Sequence, residues 1–198
     1  MKKIIGLAIT ILFSTNVSAG DPAKGQAATG VCAGCHAVDG NSVIPANPKL
    51  AGQNEKYLIK QLKDFKTQAR KNDAMLSMAN MLDDQAIEDV AAFYASQKVQ
   101  HAAVEKKYIE VAQKLYRGGD ADRDIAACIA CHGAKGEGMA AAGFPAISGQ
   151  QPEYTMTTLK AFRSGARDND ANEVMRDITA KMSDEQIEAL AFYLAGLH

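Results

Sequence analysis

Two short clusters in this sequence bring cysteine and histidine together at the same spacing. The first is GVCAGCHAVDG, residues 30–40, and the second is AACIACHGAKG, residues 126–136. A Cys-x-x-Cys pair is able to close a disulfide, bind zinc with further ligands, or carry two thioether bonds to a haem. All four cysteines of the chain lie in these two clusters, so the same chemistry is expected twice.

The histidine that directly follows each pair favours covalent haem. C-x-x-C-H is the attachment signature of c-type haem, in which each thiol adds to a porphyrin vinyl group and the histidine binds the iron. The sequence therefore predicts two covalently bound haem c groups. Their attachment residues are Cys32, Cys35, Cys128 and Cys131, and their proximal iron ligands are His36 and His132. A disulfide, a zinc site with a distant fourth ligand and a thioredoxin-like redox pair remain alternatives, although the last needs a βαβ context that the sequence lacks.

An internal repeat organises the chain around the two clusters. The clusters align at an offset of 96 residues, and residues 47–73 align with 144–170 at an offset of 97. Residues 84–88 align with 184–188 at an offset of 100. Such small changes in offset indicate two homologous units with short loop insertions. We expect domains at 20–98 and 99–198, joined within QKVQHAAV, residues 97–104.

The repeat also selects a second axial ligand for each iron. Methionine sulfur is a frequent second ligand in haem electron carriers. Three methionines crowd one stretch of the first unit, namely Met75, Met78 and Met81. Only Met75 aligns with another methionine, Met175, so this pair is predicted to bind the irons. An iron with both axial positions filled leaves little room for oxygen or peroxide and suits electron transfer.

Three more pairs of residues related by the repeat are predicted around the haems: Pro48 and Pro145, Tyr57 and Tyr154, and Arg70 and Arg167. The proline carbonyls are expected to accept a hydrogen bond from the ring N–H of the proximal histidines and to fix the rings. For the arginines two interpretations stay open on equal terms: they pair with haem propionates, or they are solvated at helix ends. The tyrosines are expected to pack in the core, with contact to a propionate as the alternative.

The elements that must position these residues are helices. Asp21 and Pro22 form a helix start, with Pro at the first helical position. Apolar residues recur at helical spacing between 57 and 65, and further helices are predicted to start near Asp83 and Ser183. No segment alternates as a strand does, so the sequence predicts an all-α fold.

The amino terminus resembles a cleaved secretory signal. Lys2 and Lys3 precede a short apolar run, residues 4–13, and small residues at 17–19 predict cleavage before Gly20. Residues 1–19 are therefore interpreted as a signal peptide of an exported protein. The chain of 198 residues has a formal net charge of −1 and no basic stripe, which argues against nucleic acid as a partner.

Over residues 20–198 the chain resembles the dihaem cytochrome c4 family. The resemblance rests on both C-x-x-C-H motifs, on PKLAGQ and FPAISGQ after them, and on MRDITAKMSDEQIEALAFYLAGLH at the end. It implies two tandem class I cytochrome c domains related by pseudo-twofold symmetry, and it assigns the irons to four ligands: His36, Met75, His132 and Met175. It further implies a periplasmic electron carrier, not an enzyme, between a quinol-oxidising complex and a terminal oxidase. Peripheral association with the membrane is left open.

Two other functions stay open at the level of sequence. One is a cytochrome subunit of a larger dehydrogenase, such as the sulfide-oxidising flavocytochromes. The other is a dihaem peroxidase, which needs an iron with an open position. One departure from the family concerns the crossing of the first and last helices, where glycine is usual. Gly25 fits this pattern, whereas the second unit has Ala112.

Overall fold

The computed structural model describes residues 20–198, and the predicted all-α fold is confirmed for this range. The predicted signal peptide, residues 1–19, lies outside the described residues. The first unit contains α1 (Pro22–Ala28), α2 (Gly30–His36), α3 (Glu55–Lys66), α4 (Asp73–Asn80) and α5 (Asp84–Ser96). The second contains α6 (Lys106–Gly118), α7 (Ile129–His132), α8 (Pro152–Arg163), α9 (Val174–Ala180) and α10 (Asp184–Gly196). Short 3₁₀ turns at 121–123, 140–142 and 171–173 all fall in the second unit.

Each unit builds its own apolar core from corresponding helices. In the first, α5 packs against α1 and α3, and in the second, α10 packs against α6 and α8. Ile87 and Tyr94 are almost fully buried in the first core, and Tyr116 and Ile187 are fully buried in the second. The architecture is two tandem helical units, while the boundary between residues 98 and 99 stays a prediction.

The helix starts follow local capping chemistry. The Asp21 side chain accepts from the Ala23 amide, with Pro22 at the first helical position. Ser183 and Gln186 form a reciprocal capping box at the start of α10. The apolar spacing between 57 and 65 also predicts a helix with its start near Gln53, and α3 begins two residues later, at Glu55, with Asn54 as its N-cap.

The crossing of α1 over α5 is closer than any side chain allows. A Cβ on Gly25 would lie 2.0 Å from the Asp89 carbonyl oxygen and 2.8 Å from the Cβ of Phe93. The amide of Asp21 also donates to the Asp89 carboxylate at 2.8 Å, which ties the start of α1 to α5. In the second unit the fully buried Ala112 occupies α6, so that crossing accommodates a methyl group.

The turn after α3 predicts a stabilising substitution. Gln68 adopts a φ of 59°, where its repeat counterpart Gly165 adopts 74°. Both amides bond back to a phenylalanine carbonyl of the preceding helix. A left-handed backbone conformation costs a non-glycine residue about 1–2 kcal/mol. Glycine avoids this cost, but its greater conformational entropy in the unfolded chain offsets part of the gain in stability. We expect Gln68→Gly to raise the free energy of unfolding by about 0.5–1 kcal/mol in urea denaturation.

The matched control is Gly165→Gln, which should lower the free energy of unfolding by a similar amount. A loss of stability in Gln68→Gly would contradict the strained turn.

Among residues 20–198, no helix combines the length and the apolar character that crossing a membrane requires.

Two candidate haem sites and the interface between them

Each C-x-x-C-H segment forms a short helix that ends at its histidine. α2 contains the whole first motif, and α7 begins directly after Cys128. His36 and His132 are buried, with 7% and 8% exposure. The chain then turns away through Ala37 at φ 64° or Gly133 at φ 77°. Alanine rarely adopts this conformation, so the first site holds backbone strain beside its histidine.

The two histidine rings are held in the same way. The Nδ1 of His36 lies 2.9 Å from the Pro48 carbonyl oxygen, and the Nδ1 of His132 lies 2.9 Å from that of Pro145. A carbonyl only accepts, so Nδ1 carries the proton and Nε2 keeps a free lone pair. These two contacts confirm the prediction for the prolines.

Burial keeps both rings neutral. It lowers the pKa of His36 and of His132 below the ordinary value, and the bond to the proline carbonyl only partly opposes it. A neutral imidazole with one nitrogen fixed by a carbonyl is the form that binds a metal. The two histidines are therefore prepared as iron ligands, although the ligation itself stays a prediction.

The thiols fit covalent attachment better than the alternatives. None of the four cysteines is in a disulfide. Burial and the neighbouring Cys35 raise the pKa of the Cys32 thiol, and burial raises that of Cys128 to about 11. A redox-active pair needs the opposite shift. Within residues 20–198, no three side chains among His, Cys, Asp and Glu are grouped to bind a metal ion, so a zinc site lacks its further ligands.

Met75 and Met175 occupy the same place in the two units, in the first turn of α4 and α9. The amide of Met75 donates to the Asn72 side chain at 2.9 Å. The amide of Met175 donates to the Asp170 carboxylate at 2.9 Å, and Asp170 also pairs with Arg176 at 2.7 Å. Both methionines are half-buried.

A three-residue insertion explains why the offset between the two distal segments grows. Residues 171–173 form a 3₁₀ turn between the capping Asp170 and α9, with Asn172 and Glu173 at positive φ. The first unit has no such turn between Asn72 and Met75. The offset of 97 before this point therefore becomes 100 after it, and the assignment of the methionines as distal ligands stays a prediction.

Arginine and tyrosine pairs cross reciprocally between the units. The Arg70 guanidinium donates to the Tyr154 hydroxyl at 3.0 Å, and that of Arg167 donates to the Tyr57 hydroxyl at 3.0 Å. The sequence predicted core packing for the tyrosines and missed this role, because each partner lies in the other unit. Identical residues at matching repeat positions were the available signal.

The guanidiniums of Arg70 and Arg167 meet at this interface. The Gln61 side-chain oxygen accepts from Arg70 at 2.9 Å and from Arg167 at 3.0 Å. Neither guanidinium pairs with a carboxylate of residues 20–198. Burial alone would raise the pKa of Tyr154, but the two guanidiniums lower it to about 8. Two cations on one buried amide oxygen call for an anion, and haem propionates are carboxylates. The residues present therefore fit two haem groups.

Known proteins carry the same two units. The Cytochrome c family model matches residues 22–98 and 112–198. A cytochrome c4 of Thiocapsa roseopersicina is 46% identical over 180 residues, covering 90% of this chain and 93% of the relative. A thiosulfate dehydrogenase electron acceptor of Stutzerimonas stutzeri (strain A1501) is 38% identical over 170 residues, covering 84% and 78%.

A solved structure agrees over nearly the whole described chain. The reduced recombinant cytochrome c4 from Pseudomonas stutzeri superposes with a TM-score of 0.88 at 44% identity, covering 91% of this chain and 100% of that one. The repeated C-x-x-C-H motif, the paired histidine contacts and these likenesses lead to one conclusion. The chain belongs to the cytochrome c4 family of dihaem electron carriers, with two covalently attached haem c groups.

Proposed function

We propose that this chain is exported to the periplasm and carries single electrons from a quinol-oxidising complex to a terminal oxidase. His36 and Met75 bind one haem iron, and His132 and Met175 bind the other. Each haem supplies a one-electron couple between ferric and ferrous iron. The observation that carries the proposal is the identical 2.9 Å bond from each buried histidine to a proline carbonyl.

The residues of each site have separate tasks. The proline carbonyl fixes the histidine ring and leaves its Nε2 free for iron. The capped first turn of α4 or α9 holds the methionine. Thioether sulfur favours ferrous over ferric iron, which places each potential toward the upper part of the haem range. With a histidine and a methionine held for each iron, neither iron would keep an open position for peroxide, which favours electron transfer over peroxidase chemistry.

The four cysteines are expected to divide between two haems. In denaturing mass spectrometry the exported protein should begin at Gly20 and carry two haem additions. The double variant Cys128→Ala/Cys131→Ala should lose one haem and keep the other, because each pair serves its own unit. The reciprocal control is Cys32→Ala/Cys35→Ala. A double variant that keeps both additions contradicts the attachment assignment.

A second candidate function is supported by the relatives. The relative at 38% identity is named a thiosulfate dehydrogenase electron acceptor. In this second candidate function, the electrons come from a thiosulfate dehydrogenase in place of a quinol-oxidising complex.

Stopped-flow reduction separates the two donors. The oxidised protein is mixed either with thiosulfate and thiosulfate dehydrogenase, or with quinol and membranes containing the quinol-oxidising complex. The first proposal predicts faster reduction by the membranes, followed by reoxidation on adding oxidase. Faster reduction by the dehydrogenase supports the second candidate. Failure of both donors rejects the proposed carrier role.

A further inference from the structure

Two buried glutamines extend across the interface, and the side chain of each makes two hydrogen bonds to the backbone of one residue in the opposite unit. Gln150 accepts from the Lys49 amide at 2.8 Å and donates to the Lys49 carbonyl at 2.9 Å. Gln53 accepts from the Ala146 amide at 2.8 Å and donates to the Ala146 carbonyl at 2.8 Å. Gln53 and Gln150 are 6% and 9% exposed and correspond in the repeat. The same pair of hydrogen bonds is therefore made in both directions across the interface.

Lys49, the residue bonded by Gln150, directly follows Pro48, whose carbonyl oxygen is hydrogen-bonded to His36. The Pro48 carbonyl and the Lys49 amide belong to one peptide group. His36 is bonded to the carbonyl end of this group, and Gln150 of the other unit is bonded to its N–H end. A continuous chain of hydrogen bonds thus runs from the opposite unit to the histidine ring.

The second unit repeats the arrangement in the reverse direction. The peptide group between Pro145 and Ala146 is bonded by His132 at its carbonyl and by Gln53 at its N–H. Each histidine is consequently linked, through a single peptide group, to a glutamine of the opposite unit.

The glutamine amides are held in this orientation from their own side as well. The Gln150 side-chain oxygen also accepts from the Gln151 amide at 2.9 Å, and that of Gln53 accepts from the Asn54 amide at 2.9 Å. Two N–H donors meet each oxygen, which identifies the oxygen end of the amide. The side-chain oxygen of each glutamine is thus fixed as the acceptor for the peptide N–H of the opposite unit.

Hydrogen bonds in such a chain strengthen one another. An acceptor on a peptide N–H makes the carbonyl of the same peptide a better acceptor. A better acceptor at Nδ1 draws on the ring proton and makes Nε2 a stronger donor to the metal. A stronger imidazole donor stabilises ferric iron relative to ferrous iron and lowers the reduction potential.

We propose that each unit sets the reduction potential of the haem in the other unit through this glutamine. Gln150 acts on the iron bound by His36, and Gln53 acts on the iron bound by His132. Both are positioning residues that act through a peptide group. The proposal rests on the proposed axial role of the histidines and goes beyond it, because it assigns the control of each iron to the opposite unit.

The test uses Gln150→Leu and Gln53→Leu in the full haem-loaded chain. Potentiometric titration, with each wave assigned to its haem by NMR, should show one wave moved upward in each variant. Gln150→Leu should raise the reduction equilibrium constant of the haem at His36 about threefold, the effect of one ordinary hydrogen bond. This is about 28 mV at 59 mV per tenfold change for one electron. Gln53→Leu should do the same for the haem at His132.

A second readout does not depend on the potentials. Amide hydrogen exchange should accelerate at Lys49 in Gln150→Leu and at Ala146 in Gln53→Leu, each without the other. The neighbouring variant Gln151→Ala is the control, because it removes a cross-interface bond to the Ser42 carbonyl and touches neither peptide group. It should leave both potentials unmoved.

Three results overturn the proposal: both waves move together, the wave of the mutated unit moves, or neither moves. Failure of the proposed ligation is a separate result, since the wild-type protein would then lack the NMR resonances of histidine bound to haem iron. Native histidine resonances with unmoved potentials reject only the cross-unit control.

Discussion

Replacing Met175 by histidine is expected to lower the reduction potential of one haem by about 0.1 V or more and to leave that of the other nearly unchanged. A second imidazole favours ferric iron, which a thioether does not. Only one haem should respond, because Met175 lies in the first turn of α9 in the second unit, whereas Met75 lies in the first turn of α4 in the first unit. Potentiometric titration measures the shift, and Met75→His should move the other wave.

A methionine outside the proposed sites is the control. Met81 is 63% exposed and ends the stretch that contains Met75. Met81→His should leave both potentials where they are in the wild type. Two unmoved waves in Met175→His reject its assignment as a ligand. A moved wave in Met81→His would transfer the ligand role within the first unit.

Replacing Gly25 by alanine should destabilise the first unit by about 3 kcal/mol. The added methyl would lie 2.0 Å from the Asp89 carbonyl oxygen, so α1 and α5 must separate. That oxygen is backbone and has no rotamer to adopt. The loss is measured by urea unfolding of the haem-loaded protein, followed by far-ultraviolet circular dichroism.

The second unit supplies the comparison for Gly25. Ala112 is already accommodated at α6, and Ala112→Gly should cost only about 1 kcal/mol through helix propensity and lost apolar contact. A change of less than about 0.5 kcal/mol in Gly25→Ala would show that the crossing in the first unit is looser than described.

The arginines and the glutamines at the interface are expected to contact different parts of the two haem sites. Arg70 and Arg167 gather positive charge at one place between the units, where propionates are expected. Gln53 and Gln150 instead reach the peptide groups that hold the histidines. The arginines would bind the haem propionates, whereas the glutamines would act on the irons through the histidines. Variants at the two places should therefore differ in how many waves they move.

Local spacing determined most of the fold and the proximal half of each site. The C-x-x-C-H motifs, the capping residues and the repeat are readable because their partners lie within a few residues or recur at a fixed offset. The bond from His36 to Pro48 spans only twelve positions, so the sequence alone predicted it correctly. The methionine pair was selected by the repeat and still awaits its test.

Only the tertiary structure decided which unit each pair of repeat-related side chains contacts. The repeat shows that Tyr57 matches Tyr154 and that Gln53 matches Gln150. It does not show whether each side chain bonds within its own unit or to the opposite unit. In the structure the polar side chains of both pairs bond across the interface. The physical reason is that hydrogen bonds between two docked surfaces depend on the register of docking, which results from the summed packing of both units and not from any local stretch of residues.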